Sequence, residues 1–457
     1  MRKFWQKKKK RVSTKQAVYL GIFLMGLVGF LAYFGREGIY KIASRASSKT
    51  ASLVIDVSTV SKKIDNSWQH IAQGGEDLSS NMFSPVENEL KGLEPKTVRI
   101  DHMYDGYGVV RREGGQLVFD WSRLDEVVKS ITDAGATPML SLSYMPVDLA
   151  NGDIVGQPDD WNEWSLVVER TIEHYSKTLA IPNISYEVWN EPDLFGGYKT
   201  YGDVNYLNMY SYAVYGANRV RGAQPYEIGG PATTAFYSAW MQNLLKHTTN
   251  NSLRLDFLSW HKYSINIDDY EKDARKAGIM YRKYLDRFPR GIKLYLTESG
   301  PNSENDPSYD RQSGAAHLVS VAAALRGKVD RIYAFELVDG KDPEGQQDWG
   351  RWGMVTHPEK GVKIKPRYIA MQWLNRLNGW GIDVGGQGSW VRAIATKHKV
   401  NGYQLLVANY DPYGTHNETV PVTVSGLEAG TYDLIREYFG RGETSDVVNV
   451  GVDGEYI

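Results

Sequence analysis

The chain has 457 residues, 53 Lys and Arg against 54 Asp and Glu, and no cysteine, which excludes disulfides, thiolate metal sites and a cysteine nucleophile. Eight of the basic residues fall in the first 16, where there is no acid. The remainder holds 45 basic against 54 acidic residues, a net of −9, and so argues against nucleic acid as a partner.

Residues 1–16 read as a basic cytoplasmic tail. Ala17 to Phe34 carries no charge, and its 18 residues rise about 27 Å as a helix, near the thickness of a bilayer's hydrocarbon core. Lys7 to Arg11 lie just before it, so the positive-inside rule predicts a single-pass transmembrane signal-anchor over 17–34. Everything beyond it is then expected outside the cytoplasm. The competing reading is a cleaved signal peptide, but its apolar core would span about 7–15 residues and end in a small-residue site. Here Gly35-Arg36-Glu37 follows a longer core. Residues 35–62 read as a polar stalk and a strand, Ser52 to Val60, expected to pair with the β-rich C-terminal segment.

Residues 63–380 alternate strand and helix patterns, which predicts a parallel sheet. Strands are expected at Trp68–Gln73, Thr97–Asp101, Thr137–Tyr144, Ile184–Val188, Tyr226–Pro231, Leu255–Tyr263, Lys293–Ser299 and Asp330–Leu337. Helices are expected at Leu124–Ala134, Glu163–Leu179, Tyr206–Val220, Ala239–Lys246, Asp269–Arg287, Ala315–Leu325 and Arg367–Leu377. Eight strands alternating with helices is the count of a (β/α)8 TIM barrel. Residues 381–457 lose the helical pattern. Strand-like runs at Val391–Ala395, Tyr403–Asn409, Thr419–Val424 and Thr431–Tyr438 predict a small antiparallel β-sandwich.

The chemistry concentrates at two strand ends. In Ile184-Ser-Tyr-Glu-Val-Trp-Asn-Glu-Pro-Asp193, Pro192 stops the strand and leaves Asn190 and Glu191 at its C-terminal end. Lys293-Leu-Tyr-Leu-Thr-Glu-Ser299 likewise ends near an acid, Glu298. In a parallel barrel those ends face the active site, and two carboxylates there equip it to cleave a glycosidic bond. Glu304 and Glu336 are rival acids. Asp101 and His102, also at a strand end, are candidates for touching sugar. Aromatic rings on the presumed active face (Tyr144, Trp161, Trp164, Phe236, Tyr237, Trp260, Trp349 and Trp352) suit sugar stacking and core packing equally. The acidic loop Asp339 to Asp348 lacks calcium-loop spacing, and nothing has a phosphate-binding pattern, so neither metal nor cofactor is expected.

Trp189-Asn190-Glu191-Pro192 on the fourth strand with Thr297-Glu298-Ser299 on the seventh resembles the clan of retaining glycoside hydrolases on (β/α)8 barrels. A barrel followed by a β-sandwich is similar to family 39, which includes β-xylosidases, iduronidases and bacterial exopolysaccharide endoglycosidases of biofilm matrix. The resemblance covers roughly residues 65–457. It implies Glu298 as nucleophile and Glu191 as acid/base, its pKa raised by Glu298. It also implies Arg99 and Tyr263 as partners of Glu298, Asn190 on a sugar 2-hydroxyl, and His261 orienting the acid/base or the sugar. Arg99 is expected to lower the pKa of Glu298. Tyr144, Trp260 and Trp349 are further candidates for substrate contact. The expected partners are an extracytoplasmic polysaccharide substrate and the membrane, with exopolysaccharide synthesis and export proteins as further candidates. A glycan-binding barrel without activity and a transglycosylase are the alternatives.

Overall fold

The computed structural model describes residues 48–74, 81–289, 291–340, 351–398 and 402–456. The expected tail and anchor over 1–34, most of the stalk, Trp349, and residues 341–348 of the acidic loop lie outside them. Among the described residues no helix is long and apolar enough to cross a membrane.

In chain order, β1 (Leu53–Asp56) precedes the barrel, which opens with β2 (His70–Gln73), α1 (Glu87–Gly92) and β3 (Thr97–Ile100). A hairpin of β4 (Val110–Glu113) and β5 (Gln116–Phe119) is inserted before α2 (Ser122–Asp133). Then follow β6 (Thr137–Leu142), α3 (Trp161–Ile172), β7 (Ile184–Val188), α4 (Tyr206–Arg219), β8 (Tyr226–Thr233) and α5 (Ser238–Asn250). The last units are β9 (Phe257–Tyr263), α6 (Ile267–Tyr281), β10 (Lys293–Gly300), α7 (Gln312–Leu325), β11 (Arg331–Phe335) and α8 (Pro366–Arg376). The strands β2, β3 and β6 to β11 form one closed parallel barrel, sealed where Tyr333 and Phe335 of β11 pair with His70 and Ala72 of β2.

Local sequence accounts for the helices. Leu124, Val127, Val128 and Ile131 recur on one face of α2 and are all buried. Each contributes about 1.5–3 kcal/mol by leaving water. Asp160, Asn205 and Asn266 cap α3, α4 and α6 by accepting backbone N–H bonds from Asn162, Leu207 and Asp268. Inside the barrel, an aromatic layer of Phe257, Tyr295 and Tyr333 closes the floor, with Phe257 stacked on Tyr295 at 4.6 Å between centroids. Gly229 leaves room for that layer, since a Cβ there would lie 2.3 Å from the Phe257 carbonyl oxygen. A charged layer sits above this floor and supplies the site.

After the barrel come β12 (Trp380–Ile382), β13 (Val384–Gly385), β14 (Val391–His398), β15 (Gly402–Asn409), β16 (Val422–Ser425), β17 (Gly430–Tyr438) and β18 (Gly442–Val450). β1 does join this region, antiparallel to β13 but parallel to β16, so one of its three small sheets is mixed rather than antiparallel, and β17 with β18 forms a separate antiparallel hairpin. Its alternating Leu53 and Ile55 pack on Val391, Ala393, Ile382 and Ala395 of the antiparallel β12–β14–β15 sheet. β14 and β15 lean on α7. There Arg326 reaches the carbonyls of Ile382 and Ala395, and His317 meets the ring of Tyr410. The β4–β5 hairpin carries the Gly114-Gly115 turn with both glycines at positive φ, a hairpin signal present in the sequence but not in the strand reading above.

Candidate active site

The backbone after β7 turns sharply. Trp189 (φ 73°) and Glu191 (φ 47°) are both in the left-handed region, which side-chain-bearing residues rarely enter. Neighbours hold them there. The Glu191 N–H donates to the Ala232 carbonyl (2.9 Å), and its own carbonyl accepts from Leu194 and Phe195. The Trp189 carbonyl accepts from the Ser141 hydroxyl (2.9 Å), and its indole N–H donates to the Phe195 carbonyl (3.1 Å). This turn carries Glu191 over the barrel mouth. On the far side, the pairing of β10 slips between Leu296 and Glu298 against β9 and between Leu296 and Ser299 against β11, a bulge that re-aims Glu298.

Arg99 organises what lies between. It is fully buried and uses each face of its guanidinium: Nε donates to Glu187 (2.7 Å), Nη1 to Glu298 Oε1 (2.9 Å) and Nη2 to Asn190 Oδ1 (2.7 Å). Asn190 Nδ2 donates to the Tyr144 hydroxyl (2.8 Å), which fixes the amide. The Tyr263 hydroxyl donates to Glu298 Oε2 (2.7 Å). His261 Nδ1 lies 2.8 Å from Glu191 Oε1 and 3.4 Å from Glu298 Oε2. Oxygens of the two carboxyl groups and a nitrogen of His261 lie within 4.8 Å of one another. Such a gap fits the roughly 5–5.5 Å carboxyl spacing of a retaining site, against roughly 6.5–9.5 Å for an inverting one.

The electrostatics correct one expectation. Burial raises the Glu298 pKa and outweighs the downward pull of His261 and Arg99, while Glu191 adds to the rise. The predicted lowering by Arg99 is thus one component, and desolvation wins because the carboxylate is 6% exposed. Burial disfavours charge on His261 too, but Glu298 and Glu191 prevail and its pKa is raised. For Arg99 burial is likewise outweighed, by Glu187 and Glu298, so it stays charged. Burial, with Glu298 next, holds the Tyr263 phenol far above its usual range, so it acts as a donor.

Other candidates separate. Tyr144 belongs to the site through Asn190 and is edge-on to His102. Trp260 does not: strand alternation turns it away from inward-facing His261, and it packs against Phe236 in the core between barrel and helices. Trp164 is also core, its indole N–H bonded to the Met209 carbonyl. Glu336 is buried and ties strand ends together by accepting from Gln73 Nε2 and the Gly74 N–H. Glu187 was missed; its signal was an acid two residues before Trp189 at an inward position of a barrel strand. Glu191, His261 and Glu298 offer three donor atoms of the kind that hold a metal. The Arg99 guanidinium already on Glu298 opposes a second cation there, and the three groups bond to one another.

The family model "Glycosyl hydrolases family 39" matches residues 53–437. The chain belongs to glycosyl hydrolase family 39. A β-xylosidase of Caldicellulosiruptor saccharolyticus is 26% identical to this family 39 chain over 352 residues, 70% of each protein. Among solved structures, a family 39 enzyme of Xanthomonas axonopodis pv. citri superposes with a TM-score of 0.70 at 17% identity, covering 89% of this chain and 94% of that one. A family 39 β-xylosidase of Caulobacter crescentus does so with a TM-score of 0.66 at 20% identity, covering 82% and 83%. These superpositions concern the fold; the family match makes this chain a retaining O-glycosyl hydrolase.

Proposed function

We propose that Glu298 is the nucleophile and Glu191 the acid/base, and that the substrate is a polysaccharide outside the cytoplasm, an exopolysaccharide of the cell's own making. The observation that carries the assignment is the division of partners. Glu298 is held from both oxygens by Arg99 and Tyr263, as an attacking carboxylate must be, while Glu191 meets His261 and is the more exposed of the two. Glu298 attacks the anomeric carbon as its bond to the leaving oxygen breaks, and that oxygen takes the proton of Glu191. The glycosyl ester on Glu298 is then cleaved by water. Glu191 accepts the water's proton, its oxygen bonds the anomeric carbon, and Glu298 leaves as carboxylate, so configuration is retained. Asn190 has its carbonyl on Arg99 and one N–H on Tyr144, which leaves the second N–H for a sugar 2-hydroxyl.

The uncharged stretch 17–34 behind a basic flank supports the extracytoplasmic, membrane-anchored placing. The similarity to β-xylosidases supports a second reading, an exo-acting enzyme on xylosides. The test is Glu298→Gln and Glu191→Gln on a glycan panel with mass spectrometry of products. Activity within about tenfold of the parent in both variants removes the assignment. Release of single xylose units would replace the exopolysaccharide reading.

A further inference from the structure

We infer, on the basis of the hydrolase reading above, that Asp101 is a specificity residue of the sugar-binding mouth: its carboxylate accepts hydrogen bonds from sugar hydroxyls and bars sugars that carry a carboxylate of their own. Strand alternation places it. Arg99 points into the barrel and Ile100 into the outer core, so Asp101 turns inward again one step nearer the mouth. It is 6% exposed, and its Oδ1 is buried with no hydrogen-bond partner among the described residues.

The nearby cations bond elsewhere. Arg99 directs three of its five N–H groups at Glu187, Glu298 and Asn190, and no bond of its own reaches Asp101 among the described residues. His102 Nδ1 is on Asp105 (2.7 Å), and His261 Nδ1 is on Glu191. His261 Nε2 is a second buried atom of the same site without a partner among the described residues. A buried carboxyl oxygen with no donor is costly, and native structures keep such atoms for something the chain itself does not supply. Burial raises the Asp101 pKa, although His102 and Arg99 pull it down; a ligand that donates a hydrogen bond would hold the group ionised, and a second anion beside it would raise its pKa further. With Glu187, Glu191 and Glu298 facing Arg99 and His261, the mouth already holds more acids than cations. A uronate would add a fourth carboxylate beside these three, against two cations already paired with them.

The test uses the full chain, with Asp101→Asn and Asp101→Ala beside it. Probes are 4-nitrophenyl β-glycosides of xylose, glucose, galactose and glucuronic acid, and singly deoxygenated versions of the best one. The parent should cleave a neutral glycoside and leave the glucuronide. Asp101→Ala should raise KM by about tenfold or more with a smaller effect on kcat, and one deoxygenation should cost the parent about tenfold but the variant nothing. A charge-balancing role alone would slow every sugar alike and keep all deoxygenation penalties, which overturns the inference, as would glucuronide cleaved as well as the neutral sugars. Should Asp101→Ala not fold, Asp101→Asn, which keeps an accepting oxygen but loses the charge, must lower the deoxygenation penalty and narrow the gap between the glucuronide and the neutral sugars, and a variant that does neither overturns the inference. If nothing is cleaved, the same sugars are titrated calorimetrically. Affinity that depends on Asp101 upholds the inference while the hydrolase reading falls; affinity that does not, or none at all, overturns it.

Discussion

Replacing Arg99 by Met keeps most of the side-chain volume and removes the charge. Three hydrogen bonds of 2.7–2.9 Å disappear, and Glu187 and Glu298 stay buried without their cation. Breaking a buried pair costs about 3–5 kcal/mol, and because both acids share one guanidinium the two losses should not add fully. The melting transition should fall accordingly. The rate should fall further: if about 3–4 kcal/mol of that loss reappears as a misplaced, poorly ionised nucleophile, kcat/KM drops by about 10²–10³-fold. The direction with pH is set by Glu298. It must be ionised to attack, burial already raises its pKa, and loss of Arg99 removes a downward pull. The acid limb of kcat/KM therefore moves to higher pH in the variant. Arg99→Lys keeps the charge but has no fork to span three partners, so it should lie between, with a smaller shift of that limb. The assay is kcat/KM on an activated aryl glycoside from about pH 4 to about pH 9, with urea unfolding alongside. A folded Arg99→Met enzyme within about tenfold of the parent, its acid limb unmoved, would refute the reasoning.

Three further outcomes are expected. Glu191→Ala should lose about 10²–10⁴-fold on substrates with poor leaving groups, and added azide should restore turnover as a glycosyl azide of retained configuration; azide rescue with inversion would exchange its role with that of Glu298. His261 has a folded pKa above the ordinary histidine value of 6.5, so its stabilising contribution is complete below about pH 6.5 and fades as pH rises through the folded value. The unfolding free-energy gap between parent and His261→Asn should accordingly shrink from about pH 6 to about pH 9, and a gap that grows would contradict the placement. Trp260→Leu should destabilise by about 2–4 kcal/mol with KM little changed, as a core residue does; a large rise in KM without loss of stability would return Trp260 to the substrate side.

The order of strands and helices, and the two acids at the ends of β7 and β10, were legible in the chain because each depends on local rules. Period-2 and period-3.6 patterns mark elements within a few residues of themselves, and Pro192 stops its strand wherever the strand sits. The strand character of β1 was legible too, whereas its pairing with β13 and β16 was an expectation with no local rule behind it and is decided by the fold. What depends on the far side of the barrel was not. Trp260 and His261 are adjacent, and only the closed sheet shows that one faces helices and the other the mouth. Glu187 looks like a stray acid until Arg99, 88 positions away, is folded onto it. The direction of the Glu298 pKa was misjudged for the same reason: the sequence supplies Arg99 as a neighbour, whereas desolvation is a property of everything that surrounds a group. Strand ends are written locally; burial and partnership across a barrel arise only when the chain closes on itself.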